Sequence, residues 1–326
     1  MAVRHLLTCA LFALAVVQTP AQTGLRVMSW NVENLFDVEH DEGFNDVEFL
    51  PTGSHHWTSG RYWQKMTDIS RVVAAVTDDG GLPDLIGLCE VENDSVLTTL
   101  THRSQMRWLG YEYLMTNSPD RRGVDVALLY QPERFQLLER RDVRVPSTEY
   151  GLQPTRDILC VKGLTLIQGH IDTLHVIVVH LPSRTSGRQG DRNRRLAAKK
   201  LWEVVDSIGV GRNLIVMGDF NATAHDRIFR KAGLRPGDSP KASLRLTDDP
   251  QQPGTYCFRG RWQWIDHILL SPSLHNDAPA RVLSLPWLLE EDPKYGTQKP
   301  RRTYLGPAYH GGISDHLPII LDITRH

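Results

Sequence analysis

The chain is punctuated by short apolar runs that stop abruptly on a polar residue. LRVMSW (25–30), DLIGLC (84–89), LHVIVVHL (174–181), NLIVMGDF (213–220), WIDHILLS (264–271) and LPIILDI (317–323) are too short and too continuous for surface helices, and read as buried strands. YEYLM (111–115) and VDVALLY (124–130) are further strands, separated by the turn around Pro119–Gly123. ILCV and LTLI follow, with a hairpin expected at DTLH (172–175). Helical spacing appears over Arg61–Thr77, where Trp63, Met66, Ile69, Val73 and Val76 recur on one face. It appears again over Asp191–Ile208, through Leu196, Leu201, Val204, Val205 and Ile208. Gly80-Gly81-Leu82-Pro83 stops the first helix. The polar stretch from Asp37 to Gly60 reads as a solvated surface loop near the site; calcium binding by Asp41, Glu42, Asp46 and Glu48 is the weaker reading, since their spacing fits no standard loop. Strands outnumber helices and hairpins mix with crossovers, so the expectation is α/β, with mixed sheets covered by helices. No Pro/Ser/Gly linker divides residues 22–326, which are read as a single domain.

What ends these runs carries the chemistry. SWNVEN delivers Asn31, CEVEN delivers Glu90, VVHLPSR delivers His180, GDFNAT delivers Asp219 and Asn221, WIDHILLS contains Asp266, and ISDHLP contains Asp315 and His316. A polar group at a strand end sits on the rim of a sheet, and six such rims suggest one site holding a hard metal and histidines, suited to phosphate-ester hydrolysis. Glu90 continues its strand directly, where a carboxylate is costly unless paired; Glu92 is the alternative. Asp219 and Asn221, two apart, are expected on one side, where they can hold a water and a phosphate oxygen; the plain alternative is an Asx turn. Adjacent strand residues face opposite ways, so Asp266 rather than Asp315 is the expected partner of His316, and His267 is expected to pack.

Composition narrows the classes. The 326 residues are 40% hydrophobic, ample for a large core, and the formal net charge of -1 excludes coating nucleic acid by bulk charge but not a local basic patch. Residues 1–21, with Arg4 and His5 before LLTCALFALAVV and Thr19-Pro20-Ala21 after it, read as a secretory signal peptide, so a secreted or periplasmic protein is expected. The run is too short to span a bilayer. Cys89, Cys160 and Cys257 are sparse, odd in number and without CxxC spacing, so neither a disulfide framework nor thiolate zinc is expected.

In this order, SWNVEN, the Glu90 strand, RGVDVALLY, HLPSR, GDFN, WIDHILLS and SDHLP resemble the signature of the endonuclease/exonuclease/phosphatase superfamily, of the deoxyribonuclease I kind, across residues 26–320. RYWQKM and YHGGISDH add a similarity to its secreted bacterial branch. The resemblance implies two mixed sheets packed face to face between helices, a four-layer αββα sandwich. It implies Mg²⁺ or Mn²⁺ held by Asn31, Glu90 and Asp315. Asp219 and Asn221 would then orient the attacking water, and Asp266 and His316 would pair at the scissile phosphate. His180 matches the second histidine of the deoxyribonuclease I type, which argues against abasic-site specificity. The sequence leaves open which histidine gives the proton.

Nucleic acid is the leading substrate. Arg122 stands in the RGVDV motif. Arg184, Arg188, Arg192, Arg194 and Arg195 follow the His180 rim, and Lys294, Lys299, Arg301 and Arg302 precede Asp315, so two basic loops are placed to grip phosphates. A phosphomonoesterase or a sphingomyelinase-like lipid phosphodiesterase is the runner-up, and an inactive ligand-binding relative the third reading. No stable protein partner is implied, and a monomer is expected.

Overall fold

The computed structural model describes residues 24–79, 81–184, 187–230 and 244–325; the expected signal peptide lies outside them. In chain order the strands are β1 (Leu25–Leu35), β2 (Leu85–Val91), β3 (Glu112–Met115), β4 (Asp125–Tyr130), β5 (Phe135–Val143), β6 (Ile158–Ile167), β7 (His170–His180), β8 (Asn213–Asp219), β9 (Arg245–Leu246), β10 (Tyr256–Phe258), β11 (Arg261–Gln263), β12 (Asp266–Leu270), β13 (Leu274–His275), β14 (Arg281–Val282), β15 (Leu289–Asp292), β16 (Thr297–Pro300), β17 (Tyr304–Leu305), β18 (Ala308–Tyr309) and β19 (Ile319–Arg325). The helices are α1 (Ser59–Ala75), α2 (Asp94–Thr98), α3 (Gly187–Ile208) and α4 (Arg227–Arg230).

Two large mixed sheets result, ordered β13-β19-β1-β2-β4-β3, with β14 on β19, and β5-β6-β7-β8-β12-β9. They meet where Gly87 of β2 faces the Met217 side chain of β8 and where the Cys89 thiol donates to the Val179 carbonyl, 3.4 Å away. Val178, Ile215, Met217 and Ile268 of the second sheet join Val27, Leu88 and Ile320 of the first, together with Met66 and Ile69 of α1, in one core. The other face of the second sheet, with Ile177, Val179 and Val216, packs on Ala197, Leu201 and Val205 of α3.

Local chemistry explains the element ends. The Thr58 hydroxyl accepts from the Arg61 amide, 3.4 Å away, and starts α1 two residues before the apolar pattern does. Met66, Ile69, Val73 and Val76 are buried as expected, but Trp63 is 45% exposed, and Tyr62 and Lys65 take the inward face instead. ILCV and LTLI form one strand, β6. Its hairpin with β7 turns at Gln168-Gly169, both at positive φ, rather than at DTLH, which is already inside β7. β5, FQLLERRDV, escaped the pattern because most of its side chains lie in solvent on an edge strand. Cys89, Cys160 and Cys257 are free.

Candidate active site

Register alone gathers half the site. β7 and β8 run parallel with His180 opposite Asp219, and β8 and β12 run antiparallel with Asp219 opposite Asp266. Three neighbouring strands therefore end on one row of the rim. In the first sheet β1 and β2 run parallel with Asn31 opposite Cys89, and a bulge after that pair places Glu90 at φ 65. The segment before β19 adds Asp315 and His316, fixed by three bonds. The Ser314 hydroxyl donates to the Asn31 carbonyl (2.6 Å) and accepts from the His316 amide (3.0 Å), and the Trp30 indole donates to the His316 carbonyl (2.9 Å).

These ends open into a cavity of about 970 Å³, lined by Asn31, Glu90, His180, Asp219, Asn221, Asp315 and His316, and by Arg122 and Arg184. Asp266 lies buried behind His316. Its Oδ2 stands 2.7 Å from Nδ1 of the imidazole and also accepts from the Thr255 hydroxyl (2.5 Å). The expected pairing of His316 with Asp266 rather than Asp315 is what the structure has. His267 packs as expected, its ring nitrogens on Asp248 and on the Ala222 carbonyl. Asn221 forms the Asx turn, and its Nδ2 donates to the Leu181 carbonyl (2.9 Å). Its amide N–H donates to Asp219 Oδ1 (2.8 Å) at φ 48, while its Nδ2 lies 3.3 Å from Asp219 Oδ2.

Electrostatics divide the polar groups. Burial opposes charge on His316, but Asp266 and Asp219 outweigh it and hold the imidazolium well above the ordinary histidine range. Burial drives His180 the other way, and Arg156, whose guanidinium lies 2.7 Å from Nε2, reinforces it. His180 is therefore neutral, with Nε2 as acceptor and the proton on Nδ1, a nitrogen with no hydrogen-bond partner among the described residues. Burial and the charge of Asp266 push Asp219 up to about 7 against the pull of His316, whose Nε2 is 3.8 Å from its Oδ2. Burial would likewise raise Glu90, yet the Arg122 guanidinium, 3.0 Å away, holds it well below the usual carboxylate range.

Asp219, Asp266 and His316 place ligand atoms within 4.8 Å of one another. Asp266 Oδ2 already serves Nδ1 and Thr255, which suits this trio to proton transfer, while its buried Oδ1 has no hydrogen-bond partner among the described residues. The expected metal ligands are elsewhere on the wall. Asn31 donates through Nδ2 to Asp219 Oδ2 (3.1 Å), which leaves Oδ1 as the acceptor, taking the Glu33 amide (3.0 Å). Glu90 stays ionised, and Asp315 is balanced by Arg302, 3.1 Å away. An amide oxygen and two carboxylates are hard donors, and they fit Mg²⁺ or Mn²⁺.

Several site residues were missed by the sequence. Arg156 is 8% exposed and bridges Asp120 (2.8 Å) and His180. Glu33 is 3% exposed and receives two bonds from Arg302, at 3.1 and 2.8 Å; the Lys65 ammonium, which burial draws down to about 8, donates to its carbonyl. Glu33 stood in the SWNVEN motif, but a second acid two residues past a candidate ligand gives no distinguishing signal. In the basic loop before Asp315, two of the four cations are paired internally. Lys299 pairs with Glu290 (3.5 Å), Arg301 donates to the His310 carbonyl (3.3 Å), and Arg302 bridges Glu33 and Asp315. Arg188 is exposed on α3 and lies outside the cavity wall.

A family model described as the endonuclease/exonuclease/phosphatase family matches residues 26–325. Solved structures share the fold at low identity. A humanized D. rerio TDP2 superposes with a TM-score of 0.60 at 16% identity, covering 93% of this chain and 99% of that one. The human Nocturnin catalytic domain gives 0.57 at 20%, covering 94% and 96%. A mannosyl-6-phosphatase of Bacteroides thetaiotaomicron gives 0.56 at 19%, covering 92% and 99%. No curated protein matches this chain.

Proposed function

Since the chain belongs to the endonuclease/exonuclease/phosphatase family, whose members are hydrolytic phosphoesterases, we propose that this one hydrolyses phosphodiester bonds of nucleic acid with Mg²⁺ or Mn²⁺. The observation that carries the reading is the division of one cavity between a neutral His180, a charged His316 on Asp266, and Asp219 poised near neutrality beside Asn221. Such a set can take a proton from water on one side of a phosphorus and stabilise developing charge on the other.

Asp219, about half ionised near pH 7, accepts the proton of the attacking water, and Asn221, whose Nδ2 is held by the Leu181 carbonyl and by Asp219, orients that water through Oδ1. His316 offers the only imidazolium of the pair, so through Nε2 it donates to a phosphoryl or leaving oxygen. Asp266 fixes its tautomer. His180 positions rather than protonates, because Arg156 already donates to its Nε2. Asn31, Glu90 and Asp315 would hold the cation, which when bound supplies Lewis acidity at a phosphate oxygen. Arg122 and Arg184, on the wall of the cavity, would grip the substrate's phosphates.

The reading includes the four-layer helix–sheet–sheet–helix order, which the two core clusters support, export directed by residues 1–21, and a monomer. D. rerio TDP2 has been solved with a single-strand DNA product, and another neighbour is a mannosyl-6-phosphatase, so a phosphomonoester is the second candidate substrate. The purified protein with Mg²⁺, assayed on plasmid, RNA, sphingomyelin and sugar phosphates, decides. Cleavage of nucleic acid is expected; turnover confined to a monoester or to the lipid overturns the substrate assignment.

A further inference from the structure

A second cavity, of about 470 Å³, adjoins the first, and Arg184 belongs to both walls. It is built from two segments separated in sequence, α3 through Arg194 and Arg195, and the entry to α4 through His225 and Arg227. Among the described residues four arginines line it against two carboxylates: Asp191 pairs with the Arg194 guanidinium, and Asp226 accepts from the Ile228 amide 3.4 Å away and keeps its charge, which leaves a surplus of positive charge. Arg194 is 5% exposed; one of its nitrogens donates to the Pro182 carbonyl (3.2 Å), while its buried Nε has no hydrogen-bond partner. Arg195 and Arg227 are exposed and have no ion pair among the described residues. Arg184 links the two spaces, its Nε on the Asn221 carbonyl (2.8 Å) and its Nη1 on Gln263 (3.1 Å).

Uncompensated guanidiniums converging on a concave site attract a dianion or a phosphodiester, because each is a fixed charge with several donors. We propose that this pocket is a second phosphate subsite, taking a phosphate of the same strand next to the one being cleaved, with Arg195 and Arg227 as the groups that hold it. The inference rests on the nucleic-acid reading above and extends it. A strand that crosses Asn221 meets Arg184 next, and then this pocket. Substrates with a single phosphate gain nothing from it, so the pocket favours polymers over sugar phosphates and over a lipid headgroup.

The test is binding of a fluorescein-labelled single-stranded DNA 12-mer in excess chelator, read by anisotropy across a salt series, alongside Mg²⁺-dependent turnover of bis(p-nitrophenyl) phosphate and of the 12-mer. The pair Arg195→Gln with Arg227→Gln should weaken 12-mer binding at least tenfold and flatten its salt slope by roughly 0.7, the share of the one single-strand phosphate that is no longer neutralised. Turnover of the small diester, which ends before the pocket, should change less than about twofold. The pair Arg188→Gln with Arg192→Gln, on the exposed face of α3, should change binding less than about threefold. The single exchange Arg195→Glu, at an exposed position, should weaken binding further by inverting the charge. Wild-type binding in the pocket pair, or equal losses in the two pairs, overturns the subsite while leaving the nuclease reading intact. A wild-type protein that turns over the small diester but neither binds nor cuts the 12-mer overturns both.

Discussion

His316 and His180 are both buried at the cavity wall with carboxylates near each, Asp266 and Asp219 at His316, Asp219 (3.4 Å) and Glu90 (3.9 Å) at His180, yet His180 also has the Arg156 guanidinium on its Nε2. Their replacements should therefore behave differently. His316→Gln removes the only imidazolium and should cost about 100-fold or more in kcat. His180→Gln keeps an acceptor for Arg156 and should cost about tenfold at most, less than His180→Ala; comparison of the two series in kcat and KM checks this. The pH profile belongs to Asp219. Its carboxyl is raised to about 7, so below that pH it is protonated and cannot accept the proton of water. Activity should fall as pH drops through about 7 and hold above it, since His316 stays charged well past its ordinary value. Asp219→Asn should abolish turnover throughout, and a flat wild-type profile between pH 5 and 8 contradicts the assignment. Glu92, raised to about 9 by burial and by Asp37, Asp41 and Asp46, gives a stability prediction. Its proton is held more tightly folded than unfolded, so the fold loses stability as pH rises from the unfolded value toward 9. Glu92→Gln removes that loss while its side-chain oxygen still accepts from the Asp37 amide. In chelator it should be stabilised by about 1–3 kcal/mol near pH 7 and by almost nothing near pH 4, as read from denaturant melts.

At the level of elements, the site depends on how closely β7 and β8 approach. Gly218 sits at φ +137, and a Cβ there would collide with the Val179 carbonyl across the parallel pair. Gly218→Ala should cost at least about 2 kcal/mol and displace Asp219, lowering both Tm and kcat. The glycine in GDFN was legible only as part of a motif; its conformation and its neighbour are properties of the sheet. The apolar runs made most long strands legible, because a strand buried on both faces leaves a continuous signature. β5 left none, since its outward face carries Glu139, Arg140 and Arg141. Strand ends likewise announced Asn31, Glu90, His180, Asp219, Asp266 and His316. What could not be read was pairing across the cavity. Arg156 lies in a loop with no periodicity, 24 residues from the histidine it touches, and Lys65 sits on a helix whose pattern pointed to Trp63 as the buried residue. In the basic loop before Asp315, sequence shows charge but not that Glu290, Glu33 and Asp315 already pair with Lys299 and Arg302.

For the whole molecule, two sheets from distant parts of the chain each bring strand ends to one cavity, the first carrying the hard oxygen donors and His316, the second carrying His180, Asp219 and Asp266. The central claim is that these act together as a metal-dependent phosphodiesterase. The most direct measurement is the Mg²⁺ titration of bis(p-nitrophenyl) phosphate turnover by metal-stripped wild type, Glu90→Gln and Asp266→Asn. Wild type should be inactive in chelator and recover with Mg²⁺ or Mn²⁺. Glu90→Gln, one hard ligand poorer, should need at least about tenfold more Mg²⁺ for half-maximal rate. Asp266→Asn should keep the wild-type Mg²⁺ midpoint and lose about 100-fold in kcat, because it disturbs only the imidazole. Undiminished turnover in excess chelator, or an unchanged Mg²⁺ midpoint in Glu90→Gln, contradicts the account.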